Sequence, residues 1–124
     1  DVFGHLTDNP DPMHNDPEWA RNTPLGGTVV YGFLQASLIS RFWKEIGMPL
    51  VTTDESYMFN YGIDRMRFPA SLHVGKPARA TVTLLGIERK SADKVIWKYR
   101  VEIHQVGKKK PSTVADVLFC TVFY

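Results

Sequence analysis

Two residues combine a reactive type with a setting that could put it to work. Gly32 falls in the first turn of a helix that the residue spacing predicts over Thr28–Ile46. A glycine inside a helix costs about 1 kcal/mol against alanine, so something should require the missing Cβ. Backbone N–H groups in a first turn have no intrahelical acceptor and sit at the positive end of the helix dipole, which suits an oxygen gaining negative charge. Close packing of the helix against a strand would equally require a glycine there. His14 follows Asn9-Pro10-Asp11-Pro12-Met13, whose two prolines fix the backbone, so an imidazole there would be well placed either to move a proton or to make a structural hydrogen bond. Asp11 with His14 is a weak metal-site pattern, because no second histidine or cysteine stands nearby. Arg65 and Arg67 share a strand face, where an exposed arginine is ordinary and a phosphate contact is the sharper alternative. Lys108-Lys109-Lys110 reads as a solvated hairpin tip.

The elements that must position these groups follow from periodicity. From Val29 to Ile46, apolar residues recur three and four apart and cover most of the circumference, with small Ala36, Ser37 and Ser40 between them. The expected result is a buried helix, capped by Thr28 and stopped by Gly47 and Pro49. Asp1-Val2-Phe3 reads as the end of a helix expected to start before Asp1. Asp16-Pro17-Glu18 reads as a helix start, with an acid capping and proline in the first turn. Beyond a loop over Val51 to Ser56, alternation predicts strands at Tyr57–Phe68, Ala78–Arg89, Val95–Val106 and Val114–Tyr124, with Gly62 as a bulge or kink. Val95, Trp97, Tyr99, Val101 and Ile103 should face inward. Four strands in a meander, one face covered by the helix, give a single α+β domain over residues 1–124. A closing strand as apolar as VLFCTVFY (residues 117–124) would be hazardous as a free edge, and the helix needs more cover than its own chain offers. Both point to a dimer.

Composition bounds the rest. The 124 residues carry a formal charge of +2, with 44% hydrophobic and 23% charged residues, which gives no argument for nucleic acid. The helix is broken by Gln35, Arg41, Lys44 and Glu45 and is too short on clean apolar residues to span a membrane. The single cysteine, Cys120, fits a reducing compartment, and a cytoplasmic protein is the expectation. No nucleophile elbow, phosphate loop, dinucleotide fingerprint or zinc ligand set is present.

Taken together, LTDNPDPMHNDPEWA (6–20), TPLGGTVVYGFLQASLIS (23–40), NYGIDRMRFP (60–69) and Val74-Gly75 resemble the MaoC-like dehydratases, the (R)-specific enoyl-CoA hydratases, and their branch similar to nodulation protein N. The resemblance implies a hot dog fold, in which a long helix is wrapped by an antiparallel sheet. It implies an acyl-CoA or acyl-carrier thioester as ligand and no cofactor. A homodimer or higher homo-oligomer is expected, or a heteromer with an active subunit. Position by position, the family histidine falls on His14, the oxyanion glycine on Gly32 and a helix serine near the acid on Ser40. Tyr31 stands where the family has a histidine, and with Arg67 it joins the expected substrate-binding set. The catalytic aspartate falls on Asn9, and an amide is a poor base for a water attacking C3. Asp11, two residues on, is the candidate to replace it. Three readings remain open at this stage: a hydratase, a degenerate thioester-binding partner, and a thioesterase. The last needs an acid aimed from the helix, where the only one, Glu45, is at the far end.

Overall fold

The computed structural model describes residues 2–47 and 53–124. Five short helices precede four strands: α1 (Val2–Leu6), α2 (Pro12–Asn15), α3 (Pro17–Arg21), α4 (Gly32–Ser37), α5 (Ile39–Ile46), β1 (Ser56–Arg67), β2 (Ala78–Ser91), β3 (Lys94–Gln105) and β4 (Thr113–Phe123). Asp16 caps α3 as its Asp-Pro signature requires, accepting from the N–H groups of Glu18 and Trp19. Asp11-Pro12 is the same signature and starts α2 inside the segment whose prolines were expected only to fix a rigid loop.

The expected single helix is corrected in two respects. It begins at Gly32, because Thr28-Val29-Val30 is extended: Val29 bridges His73, and Val30 N–H donates to Leu72 O at 2.7 Å. β-Branched Thr, Val and Val favour that conformation, and instead of bonding in a helical turn Thr28 O accepts from Val74 N–H at 2.9 Å while Val30 N–H goes to Leu72. Thr28 therefore does not cap the helix; Tyr31 holds the cap position, and its side chain makes no bond to the helix start. The rod also breaks at Leu38, although Leu38 stays in the right-handed helical region and donates back to Leu34 O, so α4 and α5 run on nearly in line. Gly47 ends α5 in the left-handed conformation (φ 64°). Pro49 and the loop expected up to Ser56 fall, over 48–52, outside the described residues. Nor is the helix buried all round in the single chain. Gln35, Ile39 and Trp43, each four residues apart, face the sheet, while Phe33 is 69% exposed.

The sheet is antiparallel with order β1-β4-β3-β2, so only β2, β3 and β4 form the expected meander. β1 pairs with the last strand instead of with its successor. The burial of β4 gives the reason: it is apolar on both faces and almost wholly covered, which only an interior strand can be. The feared free edge at residues 117–124 is thus in the middle, and β1 and β2 are the edges. Gly62 sits at a register shift, as expected of a bulge. Tyr99, Val101 and Ile103 of β3 and Ala115, Val117 and Phe119 of β4 pack on Ile39 and Trp43 to form the core. Among the described residues, no helix is long and apolar enough to cross a membrane.

Candidate active site around His14

The site is assembled by short segments that hold one another through side-chain to backbone bonds. α1 ends in a Schellman arrangement: Asn9 N–H donates to Gly4 O at 2.8 Å, Asp8 N–H to His5 O at 3.3 Å, and Asp8 takes the left-handed conformation (φ 51°). The chain is thereby turned so that Asn9 leads into α2. Asp11 accepts from Met13 N–H at 3.0 Å as the cap of α2, and His14 rides on the single turn that this cap starts.

The His14 imidazole is fixed at one nitrogen. Its Nδ1 lies 2.6 Å from Val29 O, and a carbonyl can only accept, so Nδ1 carries the hydrogen and Nε2 is left as the basic nitrogen. Val29 itself is anchored by its N–H to Met13 O at 3.0 Å. The imidazole stacks on Tyr31 with ring centroids 3.7 Å apart and planes at 26°. With Val30, Leu34 and Val74, His14 and Tyr31 line a cavity of about 500 Å³ whose wall is mostly apolar.

Gly32 lies next to Tyr31, at the start of α4. A Cβ there would come 3.0 Å from the Phe68 ring and press against it, so close approach, the plainer of the two expected reasons, favours glycine. Its N–H has no acceptor among the described residues, which leaves the second reason standing beside the first. Gly32 lines a smaller hollow of about 270 Å³ with Gln35, Phe68 and Pro69, and this hollow shares Val29 and Val30 with the His14 cavity.

The other expected site residues are placed differently. Asn9 contributes its carbonyl, which accepts from Tyr31 Oη at 2.9 Å and from Asp11 N–H at 3.0 Å, while the residue is exposed. Asp11 is engaged as the α2 cap, so its carboxylate is turned to a helix start. Ser40 is on α5, exposed, beside Trp43, Lys44 and Asn60 in a separate cavity of about 570 Å³. Arg67 is exposed at the end of β1 and donates to the carbonyl of its neighbour Met66 at 2.9 Å. The structure thus brings His14, Tyr31 and the Asn9 peptide together, with Gly32 adjoining, and leaves Ser40 and Arg67 elsewhere.

Sequence reasoning missed three supports. Asn15 Nδ2 donates to Tyr31 Oη at 2.6 Å. Gln35 is 97% buried because its carbonyl oxygen accepts from Thr113 Oγ1 at 2.8 Å, tying α4 to β4. Gly4 faces the Tyr31 hydroxyl with no room for a Cβ. Gln35, polar within an apolar helix, was a usable signal; Asn15 and Gly4 had none without the coordinates.

Comparison with known proteins gives a consistent answer. Residues 1–106 match the family described as "MaoC like domain". The chain is 30% identical over 115 residues to 3-hydroxyacyl-thioester dehydratase Z of Mycobacterium tuberculosis, covering 93% of this chain and 74% of that protein. It is 30% identical over 117 residues to nodulation protein N of Rhizobium leguminosarum bv. viciae, covering 94% and 71%. Its fold is similar to that of the (R)-hydratase from A. caviae involved in PHA biosynthesis (TM-score 0.70, 23% identity, 95% of this chain and 81% of that one). The fold is therefore a hot dog fold, and the chain belongs to the MaoC-like dehydratase family.

Proposed function

We propose that this protein reversibly adds water to a trans-2-enoyl thioester, giving a (R)-3-hydroxyacyl thioester, with His14 as the base. The observation that carries this reading is the 2.6 Å contact from His14 Nδ1 to Val29 O, which in the neutral ring puts the hydrogen on Nδ1 and makes Nε2 the basic nitrogen of a residue lining an apolar cavity. Nε2 takes a proton from water as its oxygen bonds to C3. Electrons move from the C2–C3 double bond onto the thioester oxygen, held by the Gly32 N–H, and the resulting imidazolium returns the proton to C2. The imidazole thus does both proton transfers, and the amide of Asn9 needs only to hold the water. A general base is worth about 10²–10⁴ in rate, so one imidazole can carry much of the acceleration. The substrate is an acyl-CoA or an acyl-carrier thioester, and the relative named 3-hydroxyacyl-thioester dehydratase Z supports that class. Crotonyl-CoA hydration by the purified protein tests the reading; a rate equal to that of buffer would overturn it.

One observation favours a second reading. With an amide at position 9 and the nearest rescue carboxylate, Asp11, engaged at the α2 start, the chain could bind the thioester without turning it over, as a partner of an active subunit. Saturable binding of crotonyl-CoA with no hydration is the signature of that case.

A further inference from the structure

Tyr31 stands immediately before Gly32 and is only 7% exposed. Three groups of the site meet on it. Its ring face carries the His14 imidazole at 3.7 Å, its hydroxyl donates to the Asn9 carbonyl at 2.9 Å, and the same hydroxyl accepts from Asn15 Nδ2 at 2.6 Å. Asn15 in turn lies on the same turn as His14 and donates to Asp11 O at 3.3 Å. The Phe3 ring backs Tyr31 from the α1 side, with centroids 5.0 Å apart. With its one proton given to Asn9 and a lone pair given to Asn15, the hydroxyl has no donor left for a ligand.

We infer that Tyr31 is a positioning residue and not a substrate contact: it locks the His14 ring in the plane that keeps Nδ1–H on Val29 O and fixes the position-9 peptide beside it. The inference rests on the reading of His14 as the base. Two features separate it from ordinary packing. The two hydroxyl bonds go to the loop carrying Asn9 and His14, not to the core. Gly4 is also built around that hydroxyl, since a Cβ there would overlap Tyr31 Oη.

Long-range proton–nitrogen NMR of the histidine rings tests the lock directly. The four histidines are sorted by comparison with His14→Gln. The native protein should show His14 as a single Nδ1–H tautomer, and Tyr31→Leu should show averaging between the two. Tyr31→Leu should also lower kcat on crotonyl-CoA by about 10²-fold, the usual cost of misplacing a reacting group by an ångström. KM should stay within about threefold, because no polar substrate contact is removed and leucine keeps the cavity wall apolar. Tyr31→Phe keeps the ring and should retain the single tautomer. Gly4→Ala should behave like Tyr31→Leu, and adding Tyr31→Phe to it should restore the single tautomer by removing the oxygen the new methyl strikes. A single tautomer with native kcat in Tyr31→Leu would overturn the inference. So would Gly4→Ala/Tyr31→Phe that is no better ordered than Gly4→Ala. Should the native protein hydrate nothing, the proposed reaction fails, while the tautomer readings still decide the role of Tyr31.

Discussion

The N-terminal region up to Tyr31 and the sheet are held together by different physics. Residues 2–31 fold through single side-chain to backbone bonds: Asp11 to Met13, Asp16 to Glu18 and Trp19, His14 to Val29, and Tyr31 to Asn9. Apart from Val29 and Tyr31, these residues remain partly or fully exposed. The sheet instead closes long antiparallel ladders over a core in which Val101, Ala115, Thr113 and Thr121 are fully covered. Loss of one contact should therefore cost the sheet stability, spread over many neighbours, but cost the N-terminal region geometry. The proposed site lies in the N-terminal region, where geometry is what a lost contact costs.

The largest effect should come from His14. His14→Gln keeps a donor for Val29 O but has no basic nitrogen, so hydration should fall by about 10²–10⁴-fold, equivalent to roughly 3–5 kcal/mol of barrier. Its urea midpoint should hardly move. Ile103→Ala is the mirror case: Ile103 is 1% exposed in the core, and its truncation should cost about 2–5 kcal/mol of stability with kcat of the folded protein unchanged. Unchanged midpoint in Ile103→Ala, or a large kcat loss, would erase the contrast between the two regions.

The twin Asp-Pro caps sharpen the comparison. Asp11→Ala and Asp16→Ala each remove one cap and should each cost about 0.5–2 kcal/mol in urea unfolding. Only Asp11 starts the turn that bears His14, so only Asp11→Ala should lower kcat. Equal kcat losses in both would show that the loop responds to overall stability alone.

The smallest effect is on the outer face of the sheet, where Arg100 binds Asp116 through two bonds of 2.8 and 3.0 Å. The guanidinium holds the Asp116 carboxyl below the ordinary carboxylate range. A lowered folded-state value stabilises the fold above the unfolded value of about 3.9 and is lost as pH falls through the folded one. Arg100 is 41% exposed, so screening by solvent should keep the effect small. Asp116→Asn should accordingly flatten the loss of stability between neutral and acid pH, measured by urea unfolding across that range.

What could be read from the sequence divides along the same line. Alternation announces strands and their inward residues, so Tyr99, Val101 and Ile103 were legible, as were the Gly62 bulge and the Gly47 stop. Strand order was not, because periodicity assigns faces and not neighbours; only the two-sided burial of β4 fixes it in the middle. The helix start was misplaced because Thr28-Val29-Val30 fits an apolar helical stripe as well as a strand, and the bonds to the 72–74 segment decide between them. In the site, the residue types at His14 and Gly32 were informative in themselves. The contacts of Tyr31 depend on segments up to 22 residues apart, which no local pattern encodes.

The proposed reaction requires the imidazole to suffice with the amide of Asn9 at the position where the resemblance implies an acid. Crotonyl-CoA hydration measured side by side for the native protein and Asn9→Asp tests this most directly. The native protein should turn over well above buffer, and Asn9→Asp should gain less than about tenfold, since His14 already supplies the base. A native protein at the buffer rate, with Asn9→Asp switching hydration on, would contradict it.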